Sequence, residues 1–175
     1  MQKVSPVERA KGRIGHVSWP EPVARVSAVL QAAAVDARVE QFDEASPTAR
    51  EAAHAVGCDL AQIVKSIVFV CDGAYVLVLV PGDSRADERA VARILGAGEV
   101  RVATPAEVVH ATGFEPGGVA PFPQRAVAQT LIDRSLLRHG TVWIGAGTPS
   151  HMAALAPSEL ARLSGARAFE LTRAG

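Results

Sequence analysis

The sequence predicts a fold of the α/β class in its α+β form, a mixed β-sheet flanked by short helices rather than a doubly wound parallel sheet. Ile63 to Val70 is a dense run of β-branched and aromatic residues, interrupted by Lys65 and Ser66, and reads as a strand buried on both faces. Asp72-Gly73 and then Ala74 to Val80 follow, a two-residue hairpin signal that makes the first strand pair antiparallel. Around this hairpin, strand-like and helix-like stretches succeed one another in an irregular order, without the strict alternation that a doubly wound sheet needs.

At 175 residues the chain is long enough for one domain with a short appendage. Residues 1–20 are expected to form an irregular arm, with a short helix over Val4–Ala10 as the alternative. This arm mixes Lys3, Glu8, Arg9, Lys11 and Arg13 and has no apolar run of signal-peptide length. No other stretch is long and uncharged enough to cross a membrane, so no membrane partner and a cytoplasmic location are expected.

Pro20 and Pro22 introduce a helix over about Glu21 to Val35, with Val23, Val26, Val29, Leu30 and Ala33 at helical spacing and Trp19 expected to pack at its start. Arg38 to Phe42 alternates as a short strand. Ser46-Pro47-Thr48 and then Glu51 form a capping box for a helix that stops at Gly57. In the hairpin, a loop of Asp72 and Gly73 places Cys71 opposite Ala74 and Lys65 opposite Val80, at the open end. Lys65, Ile67, Phe69 and Cys71 then share one face, and Ser66, Val68 and Val70 the other.

Asp83 or Ser84 is expected to cap a helix running from Ala86 to Leu95, and Gly96 to end it. Val100-Arg101-Val102 reads as a strand. Thr104-Pro105-Ala106-Glu107 starts a capped helix that ends near Thr112-Gly113. Val127 to Ile132 is a strand, Asp133 to His139 a short helix or turn, and Thr141 to Ile144 a further strand. Met152 to Ala156 is expected as the final strand of the sheet, Pro157 to Gly165 as a helix, and Ala168 to Leu171 as the closing segment.

Charge and composition narrow the chemistry. Eighteen acidic and 18 basic side chains balance, which excludes a protein that coats long stretches of nucleic acid, and no DNA partner is expected. Gripping one end of an RNA remains open. Cys58 and Cys71 are too few for a disulfide framework, and no Cys or His spacing suggests a metal site. The chain has no GxSxG, HExxH or GxxxxGK motif. Gly145-Ala146-Gly147 misses the dinucleotide fingerprint, with Ser150 in place of the third glycine.

Two features remain. Of the 18 basic residues only three are lysines, and Lys65 alone lies beyond residue 11. A lysine inside a buried strand either carries its stem along the sheet with its head at the rim, or is there because a compact, tunable ammonium is needed. The second feature is Gly113 to Pro123, too rich in glycine and proline for a regular element. Its adjacent glycines let backbone approach a ligand closely, although a tight connection without a ligand would look the same.

Three blocks carry a resemblance: Gln62-Ile63-Val64-Lys65-Ser66-Ile67-Val68-Phe69, Leu79-Val80-Pro81-Gly82-Asp83, and Thr112-Gly113-Phe114-Glu115-Pro116-Gly117-Gly118-Val119-Ala120-Pro121-Phe122. In that order they resemble the YbaK/ProX family, free-standing relatives of the editing domain inserted in bacterial prolyl-tRNA synthetase. The resemblance implies a mixed, partly barrel-like sheet flanked by helices, with an editing domain over residues 21–175. It implies a trans-editing deacylase that removes a mischarged amino acid from tRNA, with no metal and no cofactor.

By the same resemblance Lys65 is the catalytic residue. Gly117, Gly118, Val119, Ala120 and Pro121 hold the aminoacyl group and the terminal adenosine, with Ser66, Gly145 and Gly147 completing the substrate site. The expected partners are the aminoacyl-tRNA 3' end and prolyl-tRNA synthetase. Where cysteinyl-specific members carry Ser-Gly-Gly-Lys-Arg-Gly, this chain has Gly145-Ala146-Gly147-Thr148-Pro149-Ser150. The expected cargo is therefore a small amino acid such as alanine or serine, on tRNA(Pro) or a related tRNA. The competing reading is a non-catalytic module of the same fold that grips a tRNA end or a synthetase.

Overall fold

The computed structural model describes residues 18–42 and 48–173, so most of the expected arm, its alternative helix and Ser46-Pro47 lie outside the described residues. The elements in chain order are α1 (Glu21–Ala32), β1 (Arg38–Gln41), α2 (Ala49–Val56), β2 (Val64–Cys71), β3 (Ala74–Pro81), β4 (Arg85–Ala86), α3 (Glu88–Leu95), β5 (Val100–Val102) and α4 (Pro105–Thr112). They continue with β6 (Val127–Asp133), β7 (Val142–Gly145), β8 (His151–Leu155), α5 (Pro157–Ser164), β9 (Arg167–Phe169) and β10 (Thr172–Arg173).

The β2–β3 hairpin has the register that its two-residue loop dictates: Cys71 faces Ala74 and Lys65 faces Val80. Asp72 and Gly73 both take positive φ, 46° and 82°, as a turn that follows the strand twist requires. β3 is central in a five-stranded sheet of order β5-β2-β3-β6-β9, antiparallel on the β2 side and parallel where β3 meets β6 and β6 meets β9. The sheet is therefore mixed, as the sequence predicts.

Met152 to Ala156 departs from expectation. The strand runs over His151–Leu155 and lies between β1 and β7 in a separate three-stranded antiparallel sheet, not at the end of the large one. Among the described residues the sheets do not close into a barrel; one isolated bridge, Ile63 to Trp143, joins the start of β2 to β7.

The main core fills the space between the two sheets and α1. Val64, Val68, Val70, Leu77 and Leu79 from one sheet meet Val39, Ile144, Ala153 and Leu155 from the other, with Val23, Val26 and Leu30 of α1. The opposite face of the hairpin, Phe69, Cys71, Val76, Val78 and Val80, packs with Val91 of α3, Leu131 and Leu171. The alternation along β2 thus divides as strand geometry requires. Trp19 packs against the main core.

Helix ends follow local chemistry. Thr48 caps α2 through a box in which its hydroxyl accepts from the Glu51 amide and Glu51 accepts from the Thr48 amide; Gly57 ends the helix at φ +72°. Thr104 and Glu107 make the same box at α4. The cap of α3 differs from expectation, being Asp87 rather than Asp83 or Ser84. Arg85–Ala86 is held extended against Thr172–Arg173, and this long-range pairing delays the helix.

Candidate functional site

A cleft of about 190 Å³ opens where the two sheets come together at the start of β2. Thr48, Ala49 and Ala52 of α2 form one side and Ile63 to Ser66 another. Gly117 and Val119 face Gly145, Thr148 and Pro149, with His151 and Met152 completing the lining.

Lys65 reaches this cleft because the hairpin register puts it at the open end, three residues before the fully buried stretch of β2. Gly82 fixes that end: its amide donates to Ile63 O at 2.8 Å, and a Cβ there would stand 2.6 Å from Leu60 O. The half-buried amine of Lys65 donates to Ser84 O. Burial pushes its pKa below the ordinary lysine value, Asp83 pulls it back up and Arg85 pushes it down. The Asp83 carboxylate thus offsets part of the cost of burying the charge.

The facing glycines make the opposite wall. A Cβ on Gly118 would stand 2.7 Å from Thr148 Cα, and one on Gly145 would stand 2.6 Å from Val119 O. The two loops therefore meet backbone to backbone, which only glycine permits at these positions. The Gly118 amide donates to Glu115 O at 3.0 Å. The Gly117 and Val119 amides have no backbone acceptor among the described residues, and both residues line the cleft.

Lys65, Ser66, Gly117, Val119 and Gly145 thus line the cleft together. Gly118, Ala120, Pro121 and Gly147 do not line it; they are buried behind it. Ala120 O accepts from the Gln124 side chain at 2.7 Å, which anchors the far end of the loop.

The family profile described as "Aminoacyl-tRNA editing domain" matches residues 43–163. This chain belongs to the aminoacyl-tRNA editing domain family. The uncharacterised protein YwhH of Bacillus subtilis (strain 168) is 34% identical over 127 residues, 72% of this chain and 80% of YwhH. The proline--tRNA ligase of Lactobacillus johnsonii is 39% identical over 85 residues, 49% of this chain but 15% of the ligase, so the likeness concerns one part of that enzyme. Among solved structures, one provisionally described as a trans-editing enzyme for prolyl tRNA synthetase superposes with a TM-score of 0.83 at 36% identity, over 89% of this chain and 99% of the other.

The editing domain also draws on residues that the sequence reading left aside. Thr48, otherwise a helix cap, stands at the cleft rim. His151 is a packed ring. It is 3% exposed and edge-on to Trp19, with ring centroids 5.6 Å apart at 88°. Its Nδ1 lies 2.5 Å from Thr148 Oγ1, and burial pushes its pKa down, which favours the neutral ring. His151 Nε2 and Ser66 Oγ are buried without a hydrogen-bond partner among the described residues. The sequence signal for His151 was one histidine next to a Gly-Ala-Gly-Thr loop, which no spacing rule singles out. No three His, Cys, Asp or Glu side chains group to hold a metal ion among the described residues.

Proposed function

We infer that this editing domain is a trans-acting deacylase, which cleaves the 3'-terminal ester of a tRNA mischarged with a small amino acid such as alanine or serine. The observation that carries the reading is Lys65 in the lining of a cleft whose facing loops meet backbone to backbone. An ester carbonyl bound there meets a cation on one side and the Gly117 and Val119 amides on the other.

In this reading a water attacks the ester carbonyl carbon, the carbonyl oxygen gains negative charge, and the bond to the ribose oxygen breaks. The water's proton ends on the ribose oxygen, and the products are a free amino acid and an intact tRNA. Lys65 stabilises the developing oxyanion or orients the terminal ribose, and the loop amides add donors that need no reorganisation. Use of a neutral Lys65 as general base is disfavoured, because lowering its pKa by about three units costs about 4 kcal/mol. The mechanism assigns no step to a metal or cofactor.

Size supports a small cargo. A volume of about 190 Å³ is below the roughly 300–1,000 Å³ of sites that enclose drug-sized ligands, so the cleft suits one small aminoacyl group with the adenosine at its mouth. Ser66 and His151 also line the cleft, with Oγ and Nε2 unpartnered, and are assigned to hydrogen-bond that group. The source is tRNA(Pro) or a related tRNA, prolyl-tRNA synthetase is the expected partner, and the cytoplasm the expected location. The editing domain is taken as residues 21–175, because α1 contributes Val23, Val26 and Leu30 to the main core.

The test is release of amino acid from a panel of charged tRNAs that includes Ala-, Ser- and Cys-tRNA(Pro), with and without prolyl-tRNA synthetase. Hydrolysis of the alanyl or seryl member well above the buffer rate is expected. Binding of charged tRNA without hydrolysis of any member would overturn the reading in favour of a binding module.

A further inference from the structure

Both glycine walls of the cleft rest on the same element, the first turns of α1. Gly147 has φ +108°, and a Cβ there would stand 2.6 Å from Pro22 C and 2.7 Å from Pro22 O, so the 145–148 loop lies directly on the start of this helix. One turn further on, Arg25 Nη2 donates to Gly113 O at 2.6 Å. Its guanidinium carbon lies 4.6 Å from the centroid of the Phe114 ring, which is 1% exposed. Glu21 Oε1 sits 2.9 Å from Arg25 Nε, out of line for a hydrogen bond but within ion-pair range.

We propose that Arg25 is a positioning residue for the deacylation, clamping the base of the Gly113–Val119 loop so that the Gly117 and Val119 amides face Lys65; this rests on the function inferred above. Gly113 ends α4 at φ +79°, and Arg25 takes the carbonyl at which the chain turns from helix into loop. Only Glu115 and Pro116 separate the clamped Phe114 from Gly117, so a change of direction at Gly113 is passed along a very short lever. The planar guanidinium serves three partners at once, a carbonyl in its plane, an aromatic ring on its face and a carboxylate at Nε, which an ammonium does not reproduce.

Arg25 Nη1 and Arg125 Nε would lie 2.9 Å and 2.6 Å from a Gly113 Cβ. The two cations flank one glycine, and the Glu21 carboxylate offsets their mutual repulsion.

The experiment compares wild type with Arg25→Met, Arg25→Lys and Glu21→Gln in the full chain. It reads steady-state deacylation of the charged tRNA that the wild type hydrolyses, and hydrogen exchange resolved over residues 113–119 and over β3. Arg25→Met is expected to lower kcat about 10- to 100-fold with KM little changed, and to speed exchange at 113–119 while β3 keeps its protection. Arg25→Lys recovers part of the rate, and Glu21→Gln gives a smaller loss than Arg25→Met. Wild-type kcat and loop exchange in Arg25→Met would overturn the proposal. So would an exchange rate raised equally in β3, which marks a general loss of stability. If the wild type hydrolyses no charged tRNA, the functional reading fails, and the exchange data still decide whether Arg25 holds the loop.

Discussion

Replacing Gly145 by alanine tests the backbone-to-backbone wall directly. The backbone of Gly145 is not in the left-handed region, so the added methyl acts by volume alone. Its Cβ would stand 2.6 Å from Val119 O, and ordinary contact begins at 3.4 Å, so the loops must part by about 0.8 Å. Overpacking of this kind costs about 1–3 kcal/mol. For a chain of this size that lowers Tm by about 2–12 °C.

Catalysis should suffer more, because a displacement of this order at positioned groups costs about 100-fold in rate. Val119 is the residue that the added methyl meets, and its amide has no backbone acceptor among the described residues. The assay is thermal unfolding together with single-turnover deacylation. Gly165→Ala is the control: its φ is +64° with nothing within 4 Å of the added Cβ, so it is expected to lose about 1–2 kcal/mol through backbone conformation and to keep its rate. A Gly145→Ala protein with wild-type Tm and wild-type rate would refute the close approach as the basis of the site.

Thr104→Ala removes the capping hydroxyl of α4, which lies outside the cleft lining, and is expected to cost about 1 kcal/mol in urea unfolding with no change in deacylation rate. His151 supplies a pH dependence. Its folded-state pKa is depressed by burial, so the unfolded chain binds the extra proton first as pH falls below about 6.5. Stability conferred by the neutral ring is present above that value and is lost toward lower pH. Urea midpoints at pH 5 and pH 7.5 should therefore differ more for the wild type than for His151→Asn, and equal differences would contradict the assignment.

The parts of this fold that were readable in sequence are those that local chemistry decides. The Asp72-Gly73 loop set the β2–β3 register, and with it the position of Lys65, because two residues at positive φ leave no slack in the pairing. Thr48 with Glu51 and Thr104 with Glu107 marked helix starts for the same reason. The start of α3 was misplaced because Arg85–Ala86 answers to Thr172–Arg173, a partner far along the chain. Nothing local distinguishes the last strand of one sheet from a strand central to another, so the sequence does not show that β8 belongs to a separate sheet.

The site divides similarly. Lys65 stood out because a lysine in a buried apolar strand is costly, and the Gly/Pro loop because its composition is unusual. Thr48, Thr148 and His151 come to the cleft from elements whose meeting is tertiary, and their residue types are ordinary in the places where they occur.

The central claim is that Lys65 stabilises charge in the ester cleavage, and the most direct measurement is the deacylation rate of Lys65→Ala on the charged tRNA that the wild type hydrolyses. Loss of one such stabilising donor corresponds to a fall of about 100- to 1,000-fold. A fall of that size is expected with Tm little changed, since the amine is half-buried at the open end of the hairpin. Equal rates for Lys65→Ala and the wild type would contradict it.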